Sequence, residues 1–190
     1  MPVFVGKQMG KKDDLAIDNE LMLCYVYNIV SAALLVSGGF NERENRLKKF
    51  DVQFQDIVAW ASKYRVGVNL APGADDRYEP NEKMIYINSR LGAESRYYTL
   101  LHECGHLLID RHWQDFDRDN PMYASSCDKR VAKSKAYRVS IVAEEIEAWK
   151  RGRRLANKLG HFVDGTKFDK MISENVMTYI DWAATGGGEI

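Results

Sequence analysis

The sequence predicts an α+β domain, mostly helical with a small antiparallel or mixed sheet. Long segments with helical character dominate, two short runs in the first half have strand composition, and neither an internal repeat nor a domain linker interrupts residues 15–185. The composition agrees with one globular domain: 190 residues, 45% hydrophobic and 28% charged. A balance of 27 basic against 27 acidic side chains argues against a protein whose main task is coating nucleic acid or a membrane surface, although a local patch remains open. Three cysteines, an odd number, give no secreted disulfide framework, so a reducing, cytoplasmic setting is expected.

Residues 1–14 mix five charged side chains with two glycines and have no apolar run longer than Val3-Phe4-Val5, which predicts a loose arm and not a signal peptide. Residues 21–36 are the most apolar stretch, but Asn28 and Ser31 interrupt them and they fall short of the roughly 20 residues a membrane span needs. They read as a buried helix, capped by Asp18 and stopped by Gly38-Gly39. A helix over 51–64 is expected behind an Asp51 cap, because Phe54, Ile57, Val58 and Ala61 recur at helical spacing. Residues 65–70 (RVGVNL) and 83–88 (KMIYIN) have strand composition and can pair across a turn-rich segment holding Pro72, Gly73, Asp75, Asp76 and Pro80. In the second strand Ile85 and Ile87 are the expected core pair, with Met84 and Tyr86 on the other face. Ser95 is the expected cap of a helix running through His106. Residues 115–128 read as a loop, 131–159 and 166–184 as helices, and 186–190 as a flexible tail.

The chemistry concentrates in His102-Glu103-Cys104-Gly105-His106. Histidines four apart on a helix project in nearly the same direction, so two imidazoles can occupy two corners of a zinc tetrahedron. Glu103 is rotated off that direction and can act as general base on a zinc-bound water without being a ligand. At about 100° per residue, Tyr97, Leu100, Leu101, Cys104 and Leu108 share one face while His102 and His106 lie on the other, so the pair is expected to be exposed and Cys104 to be a packing residue. Gly105 sits near the histidine side, where a missing side chain lets a helix or substrate approach.

Two residues compete for third ligand. His112 stands where a longer motif ending in a third histidine would place it, but that motif turns the chain with glycine where this sequence has Ile109. Glu145 lies at the border of an apolar face made by Val139, Val142, Ile146 and Trp149, beside Ala148 and Gly152, small residues that admit a neighbouring helix. A half-buried acid there needs a counter-charge, which a zinc ion held by His102 and His106 would supply. Glu145 is the favoured ligand; Glu144 and Glu147 point more outward.

His102 to Ile109, followed by Glu144 to Gly152, resembles the ImmA/IrrE-type zincin metallopeptidases, including small versions from bacteriophages and mobile elements. The resemblance covers residues 80–160 at the level of motifs. It implies a zincin-like core, zinc-dependent hydrolysis of a protein or peptide substrate, host cytoplasm as the location if phage-encoded, and an acid three residues before an alanine as the last ligand, matching Glu145 before Ala148. It also implies an edge strand above the metal helix that binds extended peptide, expected at 83–88. The chain departs from the family in a longer gap between His106 and Glu145 and in basic residues after Trp149; no helix-turn-helix is evident.

Lys129, Arg130, Lys133, Lys135 and Arg138, then Lys150, Arg151, Arg153, Arg154 and Lys158, make the last third locally basic and allow an anionic partner. Tyr123, Tyr137 and His161 are candidates for stabilising an oxyanion. The expectation is therefore a zinc metallopeptidase with Glu103 as base and His102, His106 and Glu145 as ligands. The alternatives are a non-catalytic zinc-containing protein contacting a host protein or nucleic acid through its basic helices, and a metzincin-like protease using His112.

Overall fold

The computed structural model describes residues 42–121, 131 and 133–186. The expected arm at 1–14, the apolar segment 21–36, Tyr123 and all of the tail beyond Gly186 lie outside the described residues. The chain divides between Asn45 and Arg46 into two units, and the fold below is that of the second.

Among the described residues, five helices and three strands follow in the order α1 (Glu42–Ser62), β1 (Gly67–Ala71), β2 (Arg77–Glu79), β3 (Met84–Asn88), α2 (Ala93–Arg111), α3 (Trp113–Asp119), α4 (Lys135–Lys158) and α5 (Gly165–Thr185). The class is α+β, mostly helical with a small mixed sheet. Helix α1 begins well before the expected cap. The run before Asp51 is rich in Glu, Arg, Leu and Lys and holds nothing that breaks a helix, so Asp51 lies in its middle and pairs with Arg96 at 3.0 Å. Its core stripe is Phe50, Phe54, Ile57 and Ala61, all buried.

The sheet has the order β1-β3-β2, with β1 parallel and β2 antiparallel to β3. This corrects two expectations. The turn-rich segment contains a strand, Arg77–Glu79, and β3 is paired on both sides, so residues 83–88 are not an edge strand. Among the described residues, the edge of the sheet next to α2 belongs to β2. Ile85 and Ile87 are fully buried, as the alternation predicts.

Helix α2 starts after Gly92, not at Ser95, and no side chain caps it. The expected loop from 115 contains α3, entered through His112. Ser134 caps α4 by accepting from the Tyr137 amide at 3.1 Å, and Asp164 caps α5 through the Lys167 amide at 3.2 Å. On α4 the buried side runs through Glu145, Ala148, Trp149, Gly152, Leu155 and Ala156, whereas Val139, expected on the apolar face, is exposed.

The packing of α2 on α4 fixes everything else. A Cβ on Gly105 would overlap the Ala148 carbonyl, and one on Gly152 would overlap the Leu101 carbonyl. The two backbones therefore approach in antiparallel sense closer than any other residue permits. This approach covers the histidine side of α2 as well: His102 is 9% exposed, not on an open face as the helical wheel predicts. Cys104 is fully buried, and burial pushes its thiol pKa up, consistent with a packing residue.

Candidate metal centre

One turn of α2 and one residue of α4 bring three donor atoms together. His102 Nε2 lies 3.2 Å from His106 Nε2, 3.3 Å from Glu145 Oε2, and His106 Nε2 lies 3.5 Å from Glu145 Oε1. Ligands about 2.0–2.1 Å from a shared tetrahedral ion stand roughly 3.3 Å apart, so the two imidazole nitrogens are spaced for one small cation, and each lies near one oxygen of the Glu145 carboxylate. Among the described residues His102, His106 and Glu145 are the group whose donors converge in this way, each offering one atom, all within 4.8 Å. A further sign is that Glu145 Oε2 is buried and faces the His102 imidazole without a well-aligned hydrogen bond from any described residue.

The surroundings hold the donors in place. Glu144 Oε1 lies 3.1 Å from His106 Nδ1; with a neutral ring it accepts that N–H and leaves the Nε2 lone pair facing His102 and Glu145. Trp149 stacks on the His102 ring at 4.2 Å and 21°, fixing its plane. The two imidazoles meet edge to face at 4.7 Å. Glu103 Oε1 is 4.0 Å from His102 Nε2 and its side chain is 5% exposed, so it sits beside the cluster without joining it.

The electrostatics follow from this crowding. Burial alone would raise the Glu145 carboxyl, but the polar contacts and charge of the His102 and His106 imidazoles beside it more than offset that and hold the pKa at about 2. Burial opposes a charge on His106, yet the hydrogen bonds to Glu144 and Glu145 carry its pKa well above the ordinary value. Glu103 is raised, chiefly by burial, with the neighbouring histidines pulling the other way.

The cluster opens on a cleft of about 650 Å³. On one wall stand Asp76, Arg77 and Tyr78, the approach and edge of β2; Tyr78 donates to Asp110 Oδ2 at 3.0 Å and ties that edge to α2. Met171, Asn175 and Tyr179, at four-residue spacing on α5, also line the cleft. The Tyr179 hydroxyl lies beside Glu145, and burial followed by that carboxylate's charge raises its pKa. The cleft lining includes six carboxylates and one guanidinium, that of Arg77.

The other expected candidates lie elsewhere. His112 is exposed at the junction of α2 and α3 and lines a separate groove with Trp60 and Tyr64. Neither Met84 nor Tyr86 lines the cleft. Tyr137 is near Glu144 but does not line it either. His161 is buried between Tyr97, 3.2 Å from Nδ1, and Asp56, 3.4 Å from Nε2. Sequence reasoning missed the inward turn of Glu144 and the presence of Tyr179. The four-residue spacing of Met171, Asn175 and Tyr179 was the available signal for the latter.

No helix of the described residues is long and apolar enough to cross a membrane. No family model, curated protein or solved structure matches the chain.

Proposed function

We propose that this chain is a zinc-dependent metallopeptidase of zincin type, related to the ImmA/IrrE-like enzymes, acting on a protein or peptide substrate in the cytoplasm. The observation that carries the reading is the convergence of His102, His106 and Glu145, with one donor atom of each within 4.8 Å of the others, beside the buried Glu103. Two imidazoles and one carboxylate suit zinc and leave one position of a four-coordinate ion for a reactant. Bound there, the ion would supply a Lewis acid that polarises a carbonyl and makes water acidic near neutral pH.

The chain's own residues do the rest. Glu103, its pKa raised by burial and its carboxylate beside His102, is suited to take a proton at Oε1 and return it to a departing amine. Glu144 orients His106 and Trp149 orients His102. The free edge of β2 offers backbone groups to an extended peptide laid along the cleft, the role the sequence assigned to 83–88. Tyr179, facing the cleft next to Glu145, is placed to donate to a developing oxyanion, ahead of Tyr137 and His161.

The metzincin-like alternative draws no support from the position of His112. The test compares cells expressing wild type with cells expressing Glu103→Gln by mass spectrometry of new protein N-termini. Termini that appear with wild type and fall by about a thousandfold or more in yield with the variant, at unchanged metal content, are expected. Identical termini from both proteins would contradict a role for Glu103 as base and move the reading to a non-catalytic zinc protein.

A further inference from the structure

A second concavity, of about 300 Å³, lies on a different side of α2 from the metal cluster. It is bounded by Trp60 of α1 and Tyr64 in the turn after it, Leu108 and His112 at the end of α2, and Arg154 and Lys158 of α4. Its floor is aromatic and aliphatic. Trp60 and Tyr64 meet edge to face at 4.8 Å, and the Arg111 guanidinium covers the Tyr64 ring at 4.2 Å.

Its rim is cationic. Glu147 is the carboxylate at this rim; it accepts from Arg151 Nε and Arg154 Nη2, each at 2.9 Å, and Arg151 is further fixed by donating to the Leu108 carbonyl at 2.7 Å. Arg111, Lys150 and Lys158 make no ion pair with any described residue. Lys150, Arg154 and Lys158 are all exposed and recur every four residues, so they form a stripe about 12 Å long on one side of α4. The stripe runs past the groove.

We propose that this groove and stripe bind single-stranded nucleic acid, with an unstacked base against Trp60 and Tyr64 and successive phosphates along Lys158, Arg154 and Lys150. Aromatic rings beside a basic track are the chemistry by which single strands are held without sequence preference, since every base has a flat face and every nucleotide a charge. A duplex hides its base faces and has no use for the rings. An acidic peptide would satisfy the cations but leave the rings without a planar partner. A lone nucleotide would leave the far end of the stripe unused. The basic run after Trp149, which has no part in the metal cluster, thereby acquires a role, and the neutral net charge of the chain is compatible with it because the patch is local.

The test uses the full chain and a fluorescently labelled oligo-deoxythymidine, read by anisotropy across a salt series. Binding at low salt should weaken steeply as salt rises. Arg154→Glu with Lys158→Glu, both at exposed positions, should reduce affinity by about tenfold or more. Trp60→Leu should reduce it by roughly tenfold, with Trp60→Phe retaining most of it because a ring remains. His102→Ala should leave it unchanged, which separates this site from the metal cluster. Absence of binding at low salt, or equal binding by the charge-reversed protein, would overturn the proposal. So would equal competition by polyglutamate, which marks a general polyanion surface, or by thymidine monophosphate at matched nucleotide concentration, which marks a free-nucleotide pocket.

Discussion

On its cleft side α2 meets the acidic part of α4, where the buried Glu145 and the half-buried Glu144 face His102 and His106; farther along, the same two helices border a groove rimmed by Arg151, Arg154 and Lys158, with Arg111 over the Tyr64 ring. The charges differ in sign, and still more in how they are compensated. In the cleft each buried carboxylate of the cluster faces an imidazole within about a hydrogen-bond length, because an unpaired buried charge would be strongly destabilising. In the groove, exposed charges are left largely to water and salt, and among the described residues Glu147 is the carboxylate that pairs with its arginines. The contrast teaches that α4 supplies a rigid polar site at one end and an adaptable charged surface at the other. Substitutions should therefore have large, salt-insensitive effects in the cleft and small, salt-sensitive effects on folding in the groove.

The largest expected effect is on the helix approach that makes the cleft. Gly105→Ala forces its methyl against the Ala148 carbonyl and should destabilise the protein by roughly 3 kcal/mol, measured by denaturant unfolding. A loss below about 0.5 kcal/mol would mean that α2 and α4 are not held as closely as described.

Next comes the acid that orients His106. Glu144→Gln keeps the shape but weakens acceptance of the Nδ1 proton, and should lower metal affinity by about 10- to 100-fold in a chelator competition. Glu147→Gln, on the groove side, should leave metal affinity unchanged.

The pH dependence is smaller and has a definite sign. His106 has a raised pKa in the metal-free fold, so its contribution to stability is complete below its unfolded value and is lost as pH rises through the raised one. Glu145 is depressed to about 2, so its contribution is complete above its unfolded value and is lost as pH falls through about 2. From these two groups the metal-free protein should be most stable between pH 4.5 and 6.5, the ordinary values of the two side chains. Metal binding requires the neutral imidazole, so affinity should increase with pH over the interval where His106 loses its proton. Isothermal titration in buffers of different ionisation enthalpy would detect the released proton; affinity independent of pH would place the ion elsewhere.

What could be read from the sequence was what lies on one helix. His102 and His106 one turn apart, and Glu145 beside Ala148 and Gly152, are periodic facts, and helical geometry turns period into direction. The close approach at Gly105 was legible for the same reason. What escaped depended on neighbours distant in sequence. The wheel left His102 on an open face because it knew nothing of the α4 side chains that would cover it. β2 is three residues among turn formers, too short to announce itself, and without it β3 could not be recognised as the middle strand. Tyr179 reaches the cleft only through the docking of α5.

Elemental analysis of protein purified without added metal tests the central claim most directly. The account predicts about one zinc per wild-type chain, loss of zinc in Glu145→Ala, and retention in both Glu103→Gln and His112→Ala. Zinc kept by Glu145→Ala and lost from His112→Ala, or a wild-type protein free of zinc yet able to cleave its substrate, would contradict it.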